Sequence, residues 1–339
     1  MASKSILVLH AGGTIGMVAG PSGLVPGRRF IAQIEDWIGR RRDLHHHDYR
    51  IETLDPLIDS ADAEPATWLA LAQRIWTMRD LIDAVVVLHG TDTMAYTASA
   101  ASFFLIGLGK PVILTGAQLP FSVPDSDGEM NVLGALACAV EGSIREVCIF
   151  FDHKLTRGNR TRKWSTDKGD AFLSPHWPEL ARVEHGLHVA HEALLQPVAG
   201  SPSPPRGSGA HTAVGLVKLY PGMSDYVVSA AADAHPGGLV LELYGSGTGP
   251  AANKLMRRTL QGIAARGTPL IGVSQCFHGR MTPAIYASGR ALAECGITNG
   301  YDLTPEAALT KLTYLQELNI LPDLVAAEMA RALAGEITV

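Results

Sequence analysis

Cysteine is scarce and unpatterned in this chain: Cys138, Cys148, Cys276 and Cys295 are all there is in 339 residues, and no two stand in C-x-x-C spacing. That leaves no disulfide framework and no thiolate metal motif to read. Each cysteine sits in or beside an apolar segment, so the expectation is buried free thiols in a reducing compartment. Basic runs are equally short, none exceeding Arg40-Arg41-Arg42, and the net charge is −5. Such a balance gives no electrostatic reason to expect nucleic acid or an anionic membrane surface as partner. Long apolar runs are missing too. No window approaches the roughly 18 residues of a membrane span, and Ile6 to Leu9 is too short for the core of a signal peptide. The expectation is a cytoplasmic protein with neither a membrane nor a nucleic-acid partner.

What is present is a globular composition, 47% hydrophobic and 18% charged, on a chain long enough for two domains. Ala84 to Leu88 is an unbroken apolar run that suits a strand buried on both faces of a parallel sheet. It breaks at Gly90, and a small-residue helix begins near Met94. Thr91, Asp92 and Thr93 lie between, at a strand's carboxyl end and a helix's amino end, where open α/β sheets bind ligands. Ser5 to His10 repeats the construction, followed by Ala11-Gly12-Gly13-Thr14. If these strands are neighbours, two hydroxyls and a carboxylate converge. A threonine at such a place is also an ordinary helix cap.

Strand–helix alternation continues through Tyr49–Leu54, a helix ending near Met78, Pro111–Thr115, Leu133–Val140 and Glu146–Phe151. The fold class expected is α/β: a larger N-terminal domain with a mostly parallel sheet flanked by helices, and a smaller C-terminal α/β domain. Residues 1–196 form the first and 213–339 the second, joined by a Pro/Gly/Ser-rich linker over 197–212. In the second, Val214–Leu219, Gly238–Leu243 and Pro269–Ser274 read as strands; Pro305–Leu318 and Pro322–Ala334 read as helices. Ile15 to Gly27 reads as a glycine-hinged loop with no periodicity, and Arg157 to Lys163 as a hairpin carrying a lysine to the ligand edge.

Three signals are set aside. His45-His46-His47 and His185, His188, His191 lack the carboxylate–histidine spacing of zinc enzymes, so no metal is expected. A strand across Val183, Leu187 and Val189 would put His185 and His188 on opposite faces. Gly245-Ser246-Gly247-Thr248-Gly249 lacks the lysine of a phosphate loop. Cys276 and His278 read as a buried thiol and its neighbour rather than a nucleophile pair.

The remaining residues allow one chemistry. A threonine hydroxyl needs a base to become a nucleophile, and Thr91, Asp92 and Lys163 make an activation set in which lysine takes the proton and aspartate holds the lysine. Thr14 brings a second hydroxyl, and glycine-turn amides offer an oxyanion hole. Acyl transfer through a threonyl ester follows. Ser60, beside Asp59, suits a substrate carboxylate and Asp92 an ammonium group, a combination that fits a free amino acid.

Gly12-Gly13-Thr14-Ile15-Gly16-Met17, His89-Gly90-Thr91-Asp92-Thr93-Met94 and the run Gly109 to Gln118 resemble the bacterial L-asparaginase family, its cytoplasmic type I branch above all. Arg157-Gly158-Asn159-Arg160, Lys163 and Glu306 to Leu312 are similar as well, so the likeness covers nearly the whole chain. It implies hydrolysis of L-asparagine to L-aspartate and ammonia with no cofactor. By the same resemblance Thr14 is the first nucleophile; Thr91, Asp92 and Lys163 are the second catalytic group; and Asp59, Ser60 and Ala61 hold the substrate. A homodimer or homotetramer is implied, with the Tyr244–Pro250 loop and its Thr248 approaching the partner subunit's site. The chain departs from the family at three positions. Leu24 stands where a tyrosine usually bonds the loop threonine, Thr248 where many type I members have asparagine, and Glu242 where allosteric members have an arginine for effector asparagine. Other readings stay open at this point: an amidase for glutamine or an asparagine derivative, a weakly catalytic asparagine or aspartate binder, or a tRNA-dependent amidotransferase subunit.

Overall fold

A computed structural model describes residues 3–21, 23–57, 59–196, 203–207 and 212–338. The chain divides into two compact units, Met1–Pro205 and Arg206–Val339. The proposed linker over 197–212 lies largely outside the described residues.

The first unit opens with β1 (Ser5–His10), then a short hairpin of β2 (Met17–Gly20) and β3 (Gly23–Pro26), α1 (Phe30–Arg40), β4 (Asp48–Thr53) and α2 (Pro65–Met78). It continues through β5 (Ala84–Leu88), α3 (Met94–Phe104), β6 (Val112–Thr115), α4 (Gly128–Glu141), β7 (Val147–Phe151) and β8 (Lys154–Arg157). A two-stranded ribbon, β9 (Arg162–Lys163) with β10 (Phe172–Leu173), and a second hairpin, β11 (Ala181–Val183) with β12 (Leu187–Val189), complete it. The main sheet has eight strands in the order β12-β11-β8-β7-β6-β5-β1-β4. From β4 to β7 every pairing is parallel, while β8, β11 and β12 run antiparallel.

Physical reasons for these elements are local. β5 reads Ala-Val-Val-Val-Leu and is buried along its whole length, as a central strand covered on both faces must be. α3 is buried on nearly all sides, which its alanines and serines permit. α2 starts on Pro65, whose missing N–H is no loss in a first turn, and the Thr67 hydroxyl accepts from the Glu64 amide at 3.3 Å. Order along the sheet decides where a ligand fits. The chain leaves β1 toward β4 on one side and leaves β5 toward β6 on the other, so a switch point lies between β1 and β5.

The second unit carries a four-stranded, all-parallel sheet in the order β13 (Val214–Lys218), β14 (Gly238–Leu243), β15 (Leu270–Ser274), β16 (Ile297–Asn299). Its helices are α5 (Asp225–Ala234), α6 (Lys254–Ala265), α7 (Ala287–Ala293), α8 (Pro305–Glu317) and α9 (Pro322–Ala330). One core lies between the sheet and α5–α6, around Leu239, Leu241 and Leu260; the other faces α8 and α9, around Val240, Ile271 and Leu312. Among the described residues no helix is long and apolar enough to cross a membrane.

Several sequence expectations are corrected. The segment expected as a structureless loop over 15–27 is a turn at Thr14–Gly16 followed by the β2–β3 hairpin. Arg157 to Lys163 is no hairpin: β8 ends at Arg157, a single 3-10 turn follows, and Lys163 enters a separate ribbon. Val183 and Leu187 belong to two strands of one hairpin, with His185 in the turn between them. Cys276 is exposed, whereas Cys138, Cys148 and Cys295 are buried free thiols. α7 and β16 had no counterpart in the sequence reading.

Candidate active site

β1 and β5 are hydrogen-bonded neighbours, in register from Ile6 opposite Ala84 to His10 opposite Leu88. Their terminal loops therefore meet. Gly13 has φ of +93°, and a Cβ placed on it would run into the Gly90 backbone, so only two bare glycines permit the approach. A third loop closes on the same point. A Cβ on Gly90 would collide with the Ser60 hydroxyl, and the Thr93 hydroxyl donates to the Ser60 carbonyl at 2.6 Å. Neither Thr14 nor Thr91 caps a helix: those positions belong to Gly13 and Thr93. Their hydroxyls are left for other use.

Lys163 arrives from a rigid support. Arg157 is buried against Glu146, its Nε donating to Oε2 at 2.6 Å, and its guanidinium lies 4.8 Å from the Trp177 ring centre. The turn over 158–160 packs on α3, where a Cβ on Gly158 would sit 3.1 Å from that of Ala98. Thr161 then donates to the Arg157 carbonyl at 2.7 Å. Lys163 pairs with Phe172, which packs on Phe151 of the main sheet at 5.1 Å between ring centres. At the end of this scaffold the Lys163 ammonium donates to Thr91 Oγ1 at 2.9 Å and to Asp92 Oδ1 at 2.6 Å. Thr91 is buried, Lys163 nearly so, and the Asp92 side chain is 67% exposed. A nucleophilic oxygen, a nitrogen able to exchange its proton and a carboxylate to hold that nitrogen are thus in hydrogen-bond contact, the carboxylate still open to a ligand.

Thr14 is half-exposed and makes no side-chain hydrogen bond among the described residues. A cavity of about 160 Å³ opens between His10, Gly12, Gly13, Leu24 of β3 and Asp59, and Thr14 is not among the residues that line it. Leu24 is 49% exposed and brings no hydroxyl. Asp59 accepts from the Ala61 amide at 3.1 Å, which fixes the Ser60–Asp62 turn. His10 was absent from the residues picked out by sequence; the available signal was a polar side chain ending an otherwise apolar buried strand. His89, next to Gly90, is also buried, its Nδ1 lying 2.7 Å from the Gly90 carbonyl, and burial holds its imidazole below the usual range.

Thr248 lies in the second unit, where its amide donates to the Tyr244 carbonyl at 3.0 Å and closes a tight turn. Glu242, on β14, pairs in register with Lys218 and Val273. Among the described residues no group of three or more histidine, cysteine, aspartate or glutamate side chains is arranged to hold a metal ion.

Paired glycine-threonine loops at the switch point of a parallel sheet, with a lysine–aspartate pair on one threonine, describe a two-domain α/β protein built for acyl chemistry. The chain belongs to the asparaginase family: the N-terminal asparaginase model matches residues 5–195, and the glutaminase/asparaginase C-terminal domain matches 213–325. It is 39% identical to L-asparaginase 1 of Escherichia coli over 348 aligned residues, covering 100% of this chain and 99% of that one. It is 37% identical to the 60 kDa lysophospholipase of mouse, over 92% of this chain and 58% of that protein. The solved L-asparaginase I of Vibrio cholerae superposes with a TM-score of 0.88 at 36% identity, covering both chains in full.

Proposed function

We propose that this protein is an L-asparagine amidohydrolase, releasing L-aspartate and ammonia. The observation that carries the reading is the Lys163 ammonium bridging Thr91 and Asp92, in a chain that matches L-asparaginases along its whole length. The Thr14 hydroxyl adds to the side-chain amide carbon, and backbone amides of the glycine turns stabilise the oxyanion. The hydroxyl proton passes to the leaving nitrogen, the C–N bond breaks and ammonia departs, leaving a threonyl ester. With Lys163 in its neutral amine form, water then adds to that ester and gives its proton through Thr91 to that amine. The C–O bond breaks, aspartate leaves and the proton returns to Thr14. Asp59, Ser60 and Ala61 hold the substrate, with Ser60 on the α-carboxylate and Asp92 taking the α-ammonium.

The finer assignments belong to the same proposal. The enzyme works as a homodimer or homotetramer in the cytoplasm, with the Thr248 turn supplied to a partner's site. Glu242 would repel an effector's carboxylate, so asparagine does not activate it.

The test is the initial rate of ammonia release against L-asparagine, with L-glutamine in parallel. A hyperbolic curve with asparagine preferred is expected; no ammonia from either amide, from folded protein, sinks the reading. Thr14→Ala and Thr91→Ala should each cost roughly 10²–10⁴-fold in turnover. Near-normal activity in Thr14→Ala would move the nucleophile to Thr91.

A further inference from the structure

The Gly90–Thr91 peptide stands where three loops meet. Gly13 presses on Gly90 from the first threonine loop and Ser60 from the third, so Thr14 and Thr91 each follow the contact by one residue. Those contacts set where Gly90 lies. They do not set which way its carbonyl turns, and glycine has the widest choice of backbone rotation. His89 removes that choice. Its backbone is held at the end of β6, where its amide donates to the Thr115 carbonyl at 2.8 Å and a Cβ on Gly116 would strike its carbonyl. His89 is 8% exposed, and its ring turns back on its own successor, with Nδ1 2.7 Å from the Gly90 carbonyl oxygen. A carbonyl only accepts, so Nδ1 carries the hydrogen and donates. Burial lowers the His89 pKa, so at neutral pH the ring holds one hydrogen, and that hydrogen is committed to Gly90. In a planar trans peptide the carbonyl and the following N–H point opposite ways. The Thr91 amide therefore faces away from the imidazole, and it meets no acceptor among the described residues.

We propose that His89 is a positioning residue: by holding the Gly90 carbonyl, its imidazole aims the Thr91 N–H at the oxygen that becomes negative when Thr14 adds to the amide carbon. This role rests on the asparagine hydrolysis proposed above. The imidazole itself never touches the substrate. Before addition the substrate oxygen is a neutral carbonyl and gains little from an aimed donor; after addition it bears charge. Loss of the aim therefore falls on kcat rather than on KM.

Steady-state ammonia release from L-asparagine, per folded molecule of the full-length protein, tests this with three variants. His89→Leu fills the space without a donor and should lower kcat roughly 10–100-fold, with KM within about threefold of the parent. His89→Asn sets its side-chain nitrogen where Nδ1 stood and should keep kcat within about threefold. His89→Gln sets its nitrogen further out, near the place of Nε2, and should behave like the leucine variant. A parental kcat in His89→Leu overturns the proposal. So does an equal loss in His89→Asn and His89→Leu, which a role in packing alone would give, or a loss carried by KM. If His89→Leu does not fold, the asparagine and glutamine variants decide: equal turnover in the two overturns it. A parent active on asparagine beside a normal His89→Leu removes the role of His89 alone. A parent that releases no ammonia from asparagine or glutamine removes the reading of function, and this role with it.

Discussion

Each unit of the molecule contains a lysine held by a carboxylate, and the two pairs serve opposite ends. Lys311 and Glu336 are both fully enclosed, with Nζ 2.6 Å from Oε1. The ammonium's other protons go to the carbonyls of Met329 and Arg331 at 3.0 and 2.6 Å, and Glu336 in turn accepts from the Leu333 and Ala334 amides. Burial presses the Lys311 pKa down and Glu336 opposes it. Every donor and acceptor is committed, so the pair can only tie the chain's last residues to α8. Lys163 instead spends a proton on a threonine hydroxyl and leans on a carboxylate that is two-thirds open to solvent. The same chemical pair is a clasp where it is closed and a working group where one side is left open.

That contrast predicts a separation of effects. Lys163→Met should cost roughly 10²–10⁴-fold in ammonia release, yet move stability by no more than about 1 kcal/mol, since Asp92 is left in water. Urea unfolding alongside kinetics checks both; a large loss of stability would erase the distinction. Lys311→Met should do the reverse, destabilising by about 3–5 kcal/mol because Glu336 stays buried without its cation. Turnover per folded molecule should hold, and adding Glu336→Gln should recover part of the stability.

His10 sharpens the comparison as an enclosed titratable group whose Nε2 has no hydrogen-bond partner among the described residues. Its pKa is about 4 in the folded protein against an unfolded value of 6.5. Between those values the unfolded chain binds more protons, so stability falls as the pH drops through the window, by up to about 3 kcal/mol at its lower end. Urea midpoints at pH 7 and near pH 4 should lie closer together in His10→Phe than in the parent. Equal acid losses in the two proteins would assign the slope to other groups.

How much of this could be read beforehand depends on where the physics is local. β5 starts and ends where its apolar run does, and β1 and β14 are built on the runs Ile6–Leu9 and Leu239–Leu241, because a strand buried on both faces needs such a run. Thr91, Asp92 and Lys163 were legible as a set, although Lys163 comes 71 residues after Asp92, since few residue types can do that chemistry. The β2–β3 hairpin was not: its strands are four residues each, and β3 is exposed throughout, so neither shows a buried-face alternation. α7 escaped for similar reasons, being seven residues long with only Gly289 and Leu292 buried. His10 carried only a weak signal, a polar side chain ending an apolar strand, because its neighbours across space, Gly16 and Phe30, follow from the turn after β1 rather than from the strand itself.

The contact of Gly13 with Gly90 has a consequence for how the protein breathes. Main chain rests on main chain there, with no side chain between to act as a buffer, and the Ala11 amide is bonded to the Leu88 carbonyl at 2.8 Å just behind it. Neither threonine loop can swing away while its neighbour stays put. Amides around 12–14 and 90–92 should therefore exchange with solvent as a single opening unit, so that any fluctuation dismantling one half of the site takes down the other with it.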